Sequence, residues 1–119
     1  MSEQYESIGR IEVAPEVLVT IVRLAVQDVQ GVMEMANPPS YILRQFQRGL
    51  RQEGVVLDLS ENKVRFNIYV IMDPHVNLLE VSRAIQTAVT EAIDTMIGIP
   101  LDAVNVFVED VHYTKDEVV

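Results

Sequence analysis

The chain begins with an alternating stretch and then changes period. In "IGRIEV", Ile11 and Val13 alternate with Arg10 and Glu12, which reads as a short strand. Pro15 suits a first helical position, where its missing N–H costs nothing. From 15 to 30 the spacing is helical: Val17, Leu18, Ile21, Val22, Leu24, Ala25, Val26 and Val29 fill a broad arc. Glu16, Thr20, Arg23, Gln27 and Gln30 leave only a narrow polar stripe, so the helix is expected to be buried on more than one side. Gly31 supplies a left-handed stop. "VMEMA" reads as a weak strand and "NPPS" as punctuation. Over 41–52, Ile42, Leu43, Phe46 and Leu50 share one helical arc, with Arg44, Arg48 and Arg51 opposite. This predicts a short basic amphipathic helix, weakened by ~1 kcal/mol at Gly49 and stable only when docked.

"GVVLDLSENKVRFNIYVIMD" reads as a hairpin with "SEN" at the turn. Val64, Phe66, Ile68, Val70 and Met72 line one face of its long strand; Arg65, Asn67, Tyr69 and Ile71 line the other. Asn77 and Glu80 have capping-box spacing before an amphipathic helix over 78–97. Its inward residues are Leu78, Val81, Ile85, Ala88, Val89, Ala92, Ile93 and Met96, and Gly98 and Pro100 stop it. "AVNVFVEDV" is the last strand, with Val104, Val106 and Val108 facing the core. The economical solution is a two-layer α+β fold. Two long helices pack on one face of a three-to-five-stranded, mainly antiparallel sheet, with a loose βαβ pseudo-repeat. One domain is expected over 1–119, ordered from about 8 to 112 and frayed at both ends.

Composition narrows the function. With 49% apolar residues the chain can build a core, and it has no cysteine for disulfides, thiolate metal sites or a thiol nucleophile. "MSEQYESIGR" lacks the features of a signal peptide, and "VLVTIVRLAV" is far short of a bilayer span. A soluble cytoplasmic protein is expected. The net charge of −9 disfavours nucleic acid and anionic lipid as general partners. Residues 40–54 depart from this: Arg44, Arg48 and Arg51 against Glu53 give +2, leaving −11 elsewhere. Such a stripe suits an acidic partner, the acidic surface of a second copy, or phospholipid headgroups. Near a membrane it would contribute roughly 3 kcal/mol, enough to assist recruitment and too little to anchor. The alternative is a solvated helix face with no partner.

No phosphate loop, nucleophile elbow, zincin motif or dinucleotide fingerprint is present. His75 and His112 lie in separate regions, and Asp73–Pro74–His75 has ordinary turn chemistry. Asp110 and His112 point the same way on a strand, but a third metal ligand is not evident. Asp28 is the acid within the first helix's apolar arc, placed near its last turn. Accordingly no catalytic residue, metal ligand or cofactor is assigned. Arg65, Asn67, Tyr69, Asn105 and Phe107 come together on the non-core sheet face if the last strand pairs beside the long one. A sheet of aromatic, amide and basic groups resembles an RNA platform. Val56 and Ile71 make the same face apolar, which suits cover by the 41–52 segment or another subunit.

Three blocks, "GRIEVAPEVLVTIVRLAVQDVQGV", "GVVLDLSENKVRFNIYVIMD" and "DAVNVFVEDV", resemble the bacterial alkaline-shock, or envelope stress response, family. The resemblance runs from about Gly9 to Val111. "DPHVN" stands where relatives often carry an aromatic–glycine turn, and 37–53 matches poorly. The resemblance implies a small, non-enzymatic cytosolic protein linked to envelope homeostasis and, in some relatives, lipid metabolism. It also implies self-association in some members, and in others a place at the inner membrane face through a membrane-anchored partner. It carries no catalytic residues. The leading expectation is a self-associating or partner-binding protein. The alternative is a nucleic-acid module using the sheet face and the arginine segment.

Overall fold

The computed structural model describes residues 8–37 and 50–112. Its elements are α1 (Pro15–Gln27), β1 (Val32–Met35), β2 (Leu50–Gln52), β3 (Val55–Asp58), a 3-10 turn at Ser60–Asn62, β4 (Arg65–Met72), α2 (Leu78–Met96) and β5 (Ala103–Val111). The fold is α+β, as the sequence predicts. Both helices lie on one face of a five-stranded sheet, and the hairpin, the α2 cap and the last strand fall where expected.

β4 organises the sheet. Along one edge β5 runs parallel to it, from Arg65↔Ala103 to Met72↔Val111. The other edge is shared by two antiparallel segments. β3 pairs with its first half, from Asp58↔Arg65 to Val55↔Ile68, and β1 with its second, from Met35↔Val70 to Val32↔Met72. The two meet at Tyr69, whose N–H donates to Gly54 O and whose carbonyl accepts from Ala36 N, both at 2.8 Å. β1 and β3 thus act as one strand opened by residues 37–53. β2 folds back on the outside of β3, pairing Leu50↔Leu57 and Gln52↔Val55.

The core lies between sheet and helices. Val55, Leu57, Phe66, Ile68, Val70 and Met72 meet Leu18, Val19, Ile21, Val22 and Val26 of α1 and Val81, Ile85, Val89 and Ile93 of α2. Each large side chain so buried stabilises the fold by roughly 1.5–3 kcal/mol. α2 starts where Asn77 Oδ1 accepts from Glu80 N at 3.1 Å. Ala14 offers α1 no such side-chain cap, and Pro15 sits in the first turn.

Four local expectations are corrected. "IGRIEV" is not a strand: among the described residues nothing pairs with it, and Ile8 and Ile11 are 84% and 94% exposed. α1 ends at Gln27 rather than 30, because the chain tightens into turns through Val29 N→Val26 O and then Val32 N→Val29 O, which spans Gly31. There Gly31 O accepts from Asp73 N at 3.0 Å. The helix expected over 41–52 does not include Leu50–Gln52, which pairs with β3, where ladder hydrogen bonds outweigh a marginal helical spacing; residues 41–49 lie outside the described residues. On α2, Leu78 and Met96 are exposed, because they lie at the helix ends beyond the sheet-covered turns.

Gly54 holds the junction. Its φ is +85°, and an added Cβ would stand 2.7 Å from Ala36 O and 2.8 Å from Tyr69 O. Gly98 has a similar φ of +79°, but the nearest atom to a Cβ there is Asp94 O at 3.8 Å. Gly54→Ala is expected to destabilise the protein by about 3 kcal/mol, and Gly98→Ala by about 1 kcal/mol, since only the first adds a clash with backbone to left-handed strain. Urea midpoints of the two variants check the ordering.

Candidate functional site

The sheet face away from the helices carries the predicted cluster. Parallel register sets Asn67 beside Asn105 and Tyr69 beside Phe107. Asn105 Nδ2 donates to Asn67 Oδ1 at 2.9 Å. The Tyr69 and Phe107 rings stack with centroids 4.8 Å apart and planes 14° from parallel. Val56, Ala36 and Ile71 pack around Tyr69 as a second, smaller apolar cluster. Tyr69 is 2% exposed and Asn67 6%, whereas Phe107 is 42% exposed. Phe107 is therefore the aromatic that a partner can reach, with Tyr69 as its backing.

Arg65 lies on the same face but is already engaged. Its Nε is 2.8 Å from Asp102 Oδ2, its Nη1 3.9 Å from Asp58 and its Nη2 3.6 Å from Glu61. The Asp102 hydrogen bond, ahead of the attraction of the carboxylates, raises the Arg65 pKa above its usual value. The network ties the hairpin turn to the start of β5. It also removes Arg65 as a free cation for phosphate.

The opposite end of β4 gathers Glu34, Asp110 and His112. His112 Nε2 is 3.0 Å from Asp110 Oδ2, and its Nδ1 is 3.7 Å from Glu34 Oε1. A backbone hydrogen bond from Val111 N at 2.7 Å, and then His112, hold the Asp110 carboxyl below the usual carboxylate range. His75 sits apart, 3.1 Å from Asp73. Among the described residues no group of three or more His, Cys, Asp or Glu is arranged to hold a metal ion. An open cleft of about 410 Å³ borders β1; among the described residues its charged lining groups are Glu34 and Glu53.

Of the arginine segment, Arg51 falls in β2 opposite Val56, while Arg44 and Arg48 lie outside the described residues. One contact was not legible in the sequence. Arg23, placed on the polar stripe of α1, reaches Glu53 at 3.7 Å and ties the helix to the point where the 37–53 excursion returns.

The amide rung gives a test. Asn105→Ala removes the partner of a buried amide and is expected to cost about 1–2 kcal/mol, while replacing both Asn67 and Asn105 by Val is expected to be near neutral. Denaturant unfolding of the single and double variants separates the two. The Asp110 carboxyl is expected to titrate below the ordinary aspartate value of about 3.9. Because its folded pKa is depressed, the contact supports the fold above that value and is lost as pH falls through the folded one. Carbon-detected NMR titration checks this, and Asp110→Asn should remove the component.

A sequence profile of the alkaline shock protein 23 family, described as having a cell envelope-related function, matches residues 3–113. The uncharacterized protein Spy1614 of Streptococcus pyogenes serotype M6 is 33% identical over 107 residues, covering 87% of this chain and 88% of its own. The uncharacterized Bacillus subtilis proteins YloU and YqhY are 29% and 23% identical, over 90% and 95% of this chain and 92% and 84% of theirs. No solved structure matches. The chain belongs to the alkaline shock protein 23 family, a family with a cell envelope-related function.

Proposed function

We propose that this chain is a non-catalytic binding protein of the cell envelope system, acting by self-association and by holding a protein partner at the cytoplasmic face of the membrane. The observation that carries this reading is apolar surface left on the helical layer. Val17 and Leu24 on α1 and Leu79 and Met96 on α2 are exposed although the sheet side of both helices is filled. The wide apolar arc of α1 is thus only partly used within one copy, and surface of this kind marks protein interfaces.

Electrostatics supports protein over nucleic acid as the partner. The sheet-face cation is held by three carboxylates, and of the aromatic pair Tyr69 is too buried to stack on a base. No helix among the described residues is long and apolar enough to cross a membrane, so contact with the bilayer would run through a partner or through charge. Arg44, Arg48 and Arg51 supply that charge in this reading. Exposed pairs of this sort are screened beyond about 8 Å at physiological salt.

Sedimentation of the wild type, run beside vesicle and single-stranded RNA co-sedimentation, tests the proposal. The expected outcome is species heavier than the monomer at micromolar concentration, no RNA binding at physiological salt, and weaker binding to anionic vesicles when Arg44, Arg48 and Arg51 are all replaced by Glu. A strictly monomeric protein that retains no protein partner overturns the reading. Tight RNA binding lost in the triple variant establishes the nucleic-acid alternative.

A further inference from the structure

Two features of the fold are each half of a β-ladder. The first is the segment from Ile8 to Val13. It alternates like a strand, joins no sheet among the described residues, and leaves Ile8, Ile11 and Val13 exposed. The second is the outer edge of β5. Among the described residues β5 pairs with β4 alone, so nine residues of strand present a second, unfilled edge. Soluble proteins blunt such an edge with Lys, Pro, inward charges or a bulge. From Ala103 to Val108 this strand has none of these; its bulge, Glu109 and Asp110 come only at the far end.

The side-chain patterns of the two halves match. β5 has an apolar face, Val104, Val106 and Val108, packed against the main core, and a mixed face carrying Asn105, Phe107 and Glu109. The N-terminal segment has Ile11 and Val13 on one side and Arg10 and Glu12 on the other. A strand added to β5 in the phase that extends the core places Ile11 and Val13 beside the valine row, under the edge of α2. Arg10 then falls on the mixed face, the one that carries Glu109. The opposite phase would bury Arg10 and Glu12, so the pleat selects one arrangement.

We propose that residues 8–13 of one copy add as a strand to the β5 edge of a second copy, and that this strand addition is how the chain self-associates. The proposal rests on the self-association reading above and names its surface. Main-chain hydrogen bonds supply affinity, and the alternate apolar side chains supply register, as in other strand-addition interfaces. Exposed Ile11 and Val13 leave water, and an unprotected edge is closed. Each copy has both a strand to give and an edge to receive, so reciprocal addition closes a two-fold dimer and head-to-tail addition extends a chain of copies.

The lack of cysteine makes a crosslinking test clean. A chain carrying Ile11→Cys is mixed with chains carrying Val104→Cys, Val106→Cys or Val108→Cys, and separately with Asn105→Cys, then oxidised. The expected result is an intermolecular disulfide with at least one of the even-numbered positions and none with Asn105→Cys. Sedimentation gives the second arm. Ile11→Asp and Ile11→Pro, both at an exposed position outside the helices, are expected to weaken self-association at least tenfold while circular dichroism stays unchanged. Equal crosslinking at every position, or none, overturns the proposal. If Val17→Asp and Leu24→Asp dissociate the protein and the Ile11 variants do not, strand addition is wrong and the helical surface carries self-association. If the wild type never associates, both this proposal and the self-association reading fall.

Discussion

The constraint on which the rest of this structure depends is the double demand made by β4. Its eight residues must be hydrogen-bonded along both edges and covered on both faces. Phe66, Ile68, Val70 and Met72 fill the core under the helices, while Asn67 and Tyr69 are nearly as buried on the reverse. A strand hydrophobic on both sides is stable only at the centre of a sheet. One edge is met by a continuous parallel partner, β5. The other is met by two shorter segments whose ends meet at Tyr69. Gly54 is required there because three backbone segments converge with no room for a Cβ.

That arrangement separates stability from function. The interrupted edge lets residues 37–53, with their arginines, leave and rejoin the sheet without breaking the β4 ladder. The Arg65 network at one end of β4 and the Glu34–Asp110–His112 group at the other fasten neighbouring strands, and among the described residues no group is arranged to hold a metal ion. Among the described residues, the apolar surface left for partners is Phe107 on the sheet face, the outer positions of both helices, and the exposed N-terminal segment.

Much of this was legible in the sequence where one signal dominates. The α2 boundaries follow from the Asn77 cap and a clean amphipathic period, and the hairpin from strict alternation on both sides of a polar turn. The sheet-face cluster was legible too, because period-two spacing on two strands leaves few registers. Other features depend on distant partners. Arg65 meets Asp102, 37 residues away, so its neutralisation cannot be read locally. Leu50–Gln52 is too short for any period to decide, and the helical spacing of the preceding residues runs through it. "IGRIEV" shows the reverse error. Alternation reports a capacity to pair, and within one copy that capacity goes unused.

Hydrogen exchange followed as a function of protein concentration tests the central claim, that β4 is satisfied within each copy while the edge of β5 is completed between copies. The account predicts amides of 65–72 that are protected equally at every concentration. It predicts amides of 9–13 and of 103–108 whose exchange slows together as concentration rises. Exchange in those two segments that does not change with concentration would contradict it, as would β4 amides that gain protection only on association.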